Sequence, residues 1–175
     1  MGCNPMNHWV LRNVELIAPG NDTVCMARKL SFRFDGFPYD KHGLSLSKVQ
    51  LTDVFYHLNI DTTGINLNFI INYFASGKEK EETTEPVEFK VLVDDLVLDN
   101  VCYRQDLLDL RTREEREDNV GVDIKHMEYR DIRGRFRNLR VDLDRVTCHI
   151  DRLSTNERSG LQLKEFQGNV YATQD

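Results

Sequence analysis

The sequence predicts a mostly β protein, built as an elongated, curved antiparallel sheet shaped like a half-barrel, with one short helix near residues 67–75. Apolar and polar residues alternate along most of the chain, as in strands that have one buried and one solvated face. The apolar positions within these runs also repeat with a regular spacing. Charged residues make up 30% of the chain and apolar residues 40%, which indicates a large surface relative to the core.

The alternating runs show a second regularity. Apolar residues fall at positions 44, 46, 49, 51, 54 and 56, again at 91, 93, 96, 98, 101 and 103, and again at 122, 124, 127, 129 and 132. A step of three turns a side chain to the opposite face of a strand unless a bulge or tight turn restores its direction. We therefore expect bends at the polar residues in these gaps, which are Lys48, Asp53, Asp95, Asn100, His126 and Asp131.

Two of the runs match each other in character at every position, residues 46–56 and residues 93–103. This match indicates a structural repeat, and repeated strand units that bury one face stack into an extended sheet. The alternative is the general similarity of any two amphipathic strands.

One segment has the spacing of a helix. Phe69, Ile70, Tyr73 and Phe74 lie on one face of a short helix, which needs an apolar surface to dock on because so short a helix is marginal alone. We expect these four residues to cap an open end or edge of the sheet.

Two charged segments, 78–86 and 109–119, carry almost no apolar residues, and we expect them to be flexible loops between groups of strands. We treat residues 1–175 as a single β-rich segment and expect it to be excised from a longer chain. No apolar run approaches the ~20 residues that a membrane-spanning helix needs.

Composition argues against several functions. The net charge of -6 disfavours binding to nucleic acid. The four cysteines and five histidines form no metal-ligand spacing, and neither a His pair nor a nucleophile elbow is present. We therefore expect no enzyme activity, no metal and no cofactor. A disulfide bond in an oxidising compartment stays an alternative, and the sequence does not identify which cysteines would pair.

What remains is a long apolar face, which must cover itself, pack on another sheet or bind an apolar ligand. We expect it to form a groove for phospholipid or another apolar ligand. The candidate lining residues are Leu46, Leu51, Leu58, Val91, Val93, Leu98, Val122 and Ile124.

Two alternatives remain. The protein is an interaction scaffold if the apolar face packs internally and the sheet edges bind partners by strand addition. It is a carbohydrate-active or hydrolytic β domain if carboxylates such as Asp94, Asp99, Asp142 or Asp144 gather with a histidine in a cleft.

The order of elements also resembles a known family. The stretch Val14-Glu15-Leu16-Ile17-Ala18-Pro19-Gly20-Asn21-Asp22-Thr23-Val24, the strands at 44–60, the segment Leu67-Asn68-Phe69-Ile70-Ile71-Asn72-Tyr73-Phe74 and the strand at 91–103 are similar to the AsmA-like/TamB translocation-and-assembly family. The family's membrane anchor and its signature C-terminal domain have no counterpart in this sequence.

The resemblance implies a taco-shaped β structure whose apolar inner side guides phospholipid or supports outer-membrane biogenesis. It also implies a periplasmic location in a Gram-negative cell, within a parent protein anchored in the inner membrane. Outer-membrane assembly proteins are the implied partners, and parts of the parent outside this sequence are expected to contact the membrane.

Overall fold

The structure is a computed structural model that describes residues 7–34, 43–62, 64–70, 90–108, 123, 125–142 and 144–173. These residues form eight strands, and their bounds are β1 His8–Ile17, β2 Thr23–Phe34, β3 Gly43–Asp61, β4 Gly64–Ile65, β5 Lys90–Leu108, β6 His126–Val141, β7 Arg145–Glu157 and β8 Gln162–Thr173. Every long strand coincides with an alternating run of the sequence, so the prediction of a mostly β protein is confirmed.

The strands form one mixed sheet in the order β1-β2-β3-β5-β6-β7-β8, with the short β4 paired to β3. The sheet is curved and does not close, which confirms the half-barrel-like shape. The prediction of a purely antiparallel sheet is wrong at one place, because β3 and β5 run parallel. Parallel neighbours need a long crossover connection, which the chain between Asp61 and Lys90 provides.

The parallel pair explains the internal repeat. Leu46 lies opposite Val93, Leu51 opposite Leu98 and Tyr56 opposite Tyr103, which is the position-by-position match of the two sequence segments. Each residue of β3 thus has its repeat equivalent as its direct neighbour on β5. Residues of like character stand side by side, so the two copies extend a single patterned surface.

Several strands bend at single Asn or Asp residues with positive φ. Asp53 (φ 49°), Asn100 (φ 58°) and Asp131 (φ 51°) confirm three of the predicted bends. The other three predicted positions, Lys48, Asp95 and His126, are not among the described residues with positive φ.

The sequence analysis did not single out Asn13 (φ 51°) or Asn138 (φ 52°), which bend β1 and β6. Asn and Asp tolerate the left-handed conformation better than other side chains. Each such residue adds one extra position to the alternation of apolar and polar residues. The next apolar side chain therefore lies on the same face of the sheet as the preceding one.

The core lies on one side of the sheet. One cluster joins buried Ala27, Val54 and Val101, and a second joins buried Leu46, Val49 and Val93. The central strands β2, β3 and β5 therefore hold most of the buried apolar side chains. Substantial contacts in the described part of the chain link only hydrogen-bonded neighbour strands, as expected of a single layer.

Residues 68–70 are helical, and the amide of Ile70 donates to the carbonyl of Leu67 at 3.0 Å. Phe69 and Ile70 are half-buried there, whereas the predicted partners Tyr73 and Phe74 lie outside the described residues, as do the segments 78–86 and 109–119. Among the residues described, no helix has the length and apolar character needed to cross a membrane.

Candidate functional site

The side chains of the two core clusters define a continuous apolar face. One row crosses five strands through Val14, Ala27, Val54, Val101 and Ile132, which are paired in register from β1 to β6. Further rows of apolar residues lie above and below this row along the strands. They share its face of the sheet because the bends keep successive apolar residues on that face. The result is an apolar surface that extends across the sheet as well as along it.

The structure places six of the eight predicted lining residues on this face, and five of them belong to or pack against its two clusters. Leu46 and Val93 are buried in one cluster, Val91 packs against them, and Leu51 contacts both clusters. Leu98 packs against the cluster of Ala27, Val54 and Val101.

Leu58 follows Val54 and Tyr56 at alternate positions of β3, so it lies on the same face. Val122 and Ile124 lie outside the described residues.

Sequence reasoning missed much of this face. Strands outside β3 and β5 contribute further apolar side chains to the same side of the sheet, among them Trp9, Leu30, Phe32, Phe136, Leu139, Ile150, Leu153 and Phe166. Their alternation was visible in the sequence. What the sequence did not show was the strand order that places them beside the central pair.

Exposure of the apolar face rises toward the two edges of the sheet. Val49 and Val54 on β3 are only 6% and 7% exposed. On the edge strands, Trp9 of β1 is 52% exposed and Phe166 of β8 is 42% exposed. A curved single sheet produces this gradient, because neighbours crowd around the central side chains while the edges lack an outer neighbour.

A row of tyrosines interrupts the apolar face. Tyr56, Tyr103 and Tyr129 are consecutive neighbours on β3, β5 and β6. The rings of Tyr56 and Tyr103 stack at 5.9 Å with an interplanar angle of 16°. Burial and the neighbouring Tyr103 raise the pKa of Tyr56, so its phenol remains protonated at neutral pH. The row places neutral hydrogen-bonding groups on an otherwise aliphatic surface.

The opposite side of the sheet, here called the charged face, carries ion pairs across the strands. Arg135 donates two hydrogen bonds to Asp95, at 2.8 and 3.2 Å, and Lys48 is 3.6 Å from the same carboxylate. Arg137 donates to Asp151 at 2.7 Å. Asp95 of β5 and Asp151 of β7 thus accept from arginines of β6, which lies between them, and these pairs form a solvated, cross-strand network.

A buried polar cluster on the charged face was missed entirely by the sequence analysis. Asp106, 7% exposed, accepts hydrogen bonds from His57 Nε2 at 2.9 Å, from His126 Nδ1 at 2.9 Å and from Arg104 Nε at 2.8 Å. Asp22 lies 3.5 Å from His57 Nδ1. These contacts join strands β3, β5 and β6 to the turn between β1 and β2.

The ionisation of Asp106 follows from these contacts. Burial alone would raise its pKa, but the hydrogen bonds from His126, His57 and Arg104 outweigh burial and hold the pKa below its usual value. The carboxylate is therefore ionised at neutral pH. Its donors His57 and His126 lie on the two strands next to that of Asp106, so the cluster links adjacent strands.

The carboxylates considered for hydrolytic chemistry are dispersed. Asp99, in the middle of β5, lies 3.8 Å from Arg133, whereas Asp142 lies 3.9 Å from Lys90, the first residue of β5. Within the ranges described, no group of three or more His, Cys, Asp or Glu side chains is arranged to hold a metal ion. Cys25, Cys102 and Cys148 are free thiols.

The charged face thus holds structural pairs, while the apolar face has few polar groups, is buried at its centre and is exposed on its edge strands. Comparison with protein families, with curated proteins and with solved structures finds no match to this chain. The resemblance to the AsmA-like/TamB family therefore stays a prediction from the pattern of residues.

Proposed function

We propose that this chain is a segment of an envelope protein that holds lipid acyl chains against its apolar face, without catalysing a reaction. In this proposal it serves lipid transport or outer-membrane biogenesis in the periplasm of a Gram-negative cell, as a member of the AsmA-like/TamB family. Phospholipid is the proposed ligand, and outer-membrane assembly proteins are the proposed partners.

The observation that carries the proposal is the continuity of the apolar face. Rows of apolar side chains run from β1 to β6 without an ion pair among them, while the ion pairs of Asp95 with Lys48 and Arg135 lie on the opposite face. A sheet that only needed a core would be covered by a second layer. Here the eight described strands form one layer, and their apolar side chains become more exposed toward the edges.

The energetics fit a ligand bound without specific polar contacts. Burial of apolar surface contributes about 25 cal/mol per Å², so sheltering several hundred Å² of an acyl chain stabilises a complex by several kcal/mol. Such binding depends little on the exact position of the chain along the surface. That property suits a protein that must let a lipid move along it.

The test compares two adjacent residues of β5 that point to opposite faces. Leu98 lies on the apolar face and Val97 lies opposite Arg135 on the charged face, and both are half-buried. We expect Leu98→Asn to weaken uptake of a fluorescent fatty acid about tenfold, and Val97→Asn to leave uptake within twofold of the original protein. Circular dichroism confirms that both variants keep the sheet.

Native mass spectrometry of gently purified protein provides the direct readout. We expect masses that correspond to bound lipid. A clean ligand-free mass, together with no uptake of the fluorescent fatty acid by the unmodified chain, contradicts the proposal.

A second candidate function is a scaffold that binds partners at the sheet edges. Among the described strands, β1 and β8 each pair with a single neighbour, and both carry exposed apolar residues, Trp9 on β1 and Phe166 on β8. An edge strand with unpaired backbone groups is a template for strand addition. In this function the apolar face packs internally as a core, and the sheet edges, not the face, bind the partner.

Light scattering after gel filtration distinguishes this candidate. Edge pairing between copies gives a mass that rises with protein concentration, and Phe166→Lys, which places a charge on the edge, abolishes that rise. A monomeric mass at every concentration argues against self-pairing through the edges.

A further inference from the structure

We infer that the tyrosine row is a subsite for the neutral carbonyl group of an acyl ester, and that it orients the ligand on the apolar face. This inference rests on the proposed function, since it adds a polar end to the apolar surface. The row consists of Tyr56, Tyr103 and Tyr129 with Gln105 beside it.

The hydrogen bonds within the row leave donors unused. Tyr103 donates its hydroxyl proton to Gln105 Oε1 at 2.7 Å, which leaves the N–H groups of that amide without an acceptor in the described part of the chain. Tyr56 likewise has no hydrogen-bond partner among the described residues, and the Tyr129 hydroxyl meets only the thioether of Met127, at 3.9 Å. A thioether sulfur is a weak acceptor. The row therefore offers two unused donors, the Gln105 amide and the Tyr56 hydroxyl, and a ligand with acceptor oxygens satisfies them.

The charge around the row favours a neutral acceptor over an anionic one. Glu157 is paired with Tyr129 across β6 and β7 and is 6% exposed. Burial alone would raise its pKa, but hydrogen bonds from the side chain and backbone of Ser159 and from nearby backbone amides hold the pKa below its usual value. The carboxylate is therefore ionised, and a second anion beside it would be repelled. An ester carbonyl carries the acceptor oxygen without that charge.

The distance along the strands suits an amphiphile that lies lengthwise. From Tyr103 to Leu96 the strand extends roughly 20 Å, and this stretch of the apolar face bears Val101 and Leu98. An acyl chain whose carbonyl group rests at the tyrosine row would run along half-buried Leu98 and past Val101, which is 8% exposed. Tyrosine suits the boundary, because it joins an apolar ring to a polar tip.

The test compares dodecane, methyl laurate and laurate as competitors for a bound fluorescent naphthylamine dye. For the unmodified chain we expect methyl laurate to compete about tenfold better than dodecane, which corresponds to one or two added hydrogen bonds. We expect laurate to compete no better than its methyl ester. The double variant Tyr56→Phe with Tyr129→Phe keeps both rings and removes two donors, so it should bind dodecane unchanged and lose the preference for the ester.

The control is Tyr171→Phe, at a tyrosine that is 69% exposed on β8 and outside the row. This variant should keep the preference. Equal binding of ester and alkane by the unmodified chain, or a preference that survives the double variant, overturns the subsite while leaving the proposed function intact. Stronger binding of laurate than of methyl laurate also overturns it. Failure of all three competitors removes the proposed function itself.

Discussion

The rings of Tyr56 and Tyr103 form an offset, nearly parallel stack across the parallel strands β3 and β5, with centroids 5.9 Å apart and an interplanar angle of 16°. The two residues occupy equivalent positions in the two matching segments. The strands pair so that each residue of β3 lies opposite the residue 47 positions later on β5. The same offset of 47 residues joins Asp53 to Asn100, whose side chains form a hydrogen bond of 2.5 Å. Both apolar and polar positions of the repeat are therefore in contact with their own counterparts.

The stacked pair should contribute to stability beyond the area it buries. Off-set aromatic pairs add about 1 kcal/mol to stability, so a double-mutant cycle with Tyr56→Leu and Tyr103→Leu should give a coupling of that size. Urea denaturation measures the four free energies of unfolding. The matched cycle of Tyr56→Leu with Tyr171→Leu joins residues that are not stacked, and its coupling should be near zero. A coupling as large in the control cycle would contradict the assignment to stacking.

The repeat shows how far the sequence predicts this fold. A side-by-side match of residues 46–56 and 93–103 predicted a repeated unit, and the structure pairs the two segments in register, with Leu51 opposite Leu98. The direction of that pairing was not predictable from alternation, because parallel and antiparallel neighbours place the same residues on the same faces. The long connection after Asp61 permits a parallel crossover but does not require one.

The bends at Asn and Asp lead to a prediction about backbone strain. Asn138 on β6 has φ 52°, is exposed, and has no side-chain hydrogen bond to any other described residue. A left-handed conformation costs about 1 kcal/mol for a residue with a Cβ, and glycine avoids this cost. We expect Asn138→Ala to lower the free energy of unfolding by about 1 kcal/mol and Asn138→Gly to change it by less than about half as much.

Arg140→Ala is the control for this pair of variants, since Arg140 lies on the same strand and is not among the residues with positive φ. It should change the free energy of unfolding little. Equal losses for alanine and glycine at position 138 would mean that the side chain, and not the backbone conformation, determines stability there.

Gly134 marks a place where the apolar face has no room for a side chain. A Cβ at this position would lie 2.9 Å from Phe136 Cε2 and 3.2 Å from Leu153 Cδ1. Overpacking of this kind costs about 1–3 kcal/mol. We expect Gly134→Ala to destabilise the sheet by about 2 kcal/mol in thermal or urea denaturation.

A compensating substitution tests the cause. Gly134→Ala combined with Phe136→Leu relieves the shorter of the two contacts, so the double variant should lose less stability than the sum of the single variants. Strict additivity would show that the alanine acts through the backbone and not through the crowded ring.

The polar cluster around Asp106 could not be predicted from the sequence. His57, Asp106 and His126 are distant in the chain and have no motif spacing, so each histidine was interpreted alone. Only the strand order β3-β5-β6 brings them together on adjacent strands. Tertiary pairing of this kind leaves no local signal, in contrast to the bends, where a single Asn or Asp between apolar residues is visible in the sequence.

Asp106 should make the stability of the sheet depend on pH in the acidic range. Its pKa is lower in the folded chain than the unfolded value of about 3.9, so the folded state is favoured wherever the carboxylate is ionised. This contribution is fully present above the unfolded pKa and is lost as the pH falls through the folded pKa. Asp106→Asn removes the charge that three donors share, and we expect a loss of about 3 kcal/mol at pH 7.

The difference between the unmodified chain and Asp106→Asn should therefore shrink as the pH is lowered from about 5 toward 2, measured by urea denaturation at each pH. Asp94→Asn, on the same strand at an exposed position, should show a small difference at every pH. A destabilisation by Asp106→Asn that stays constant down to pH 2 would mean that the variant disturbs packing and not the ionised carboxylate. Because the bonds from His57 and His126 cross to strands on both sides of β5, loss of this charge should loosen three strands together.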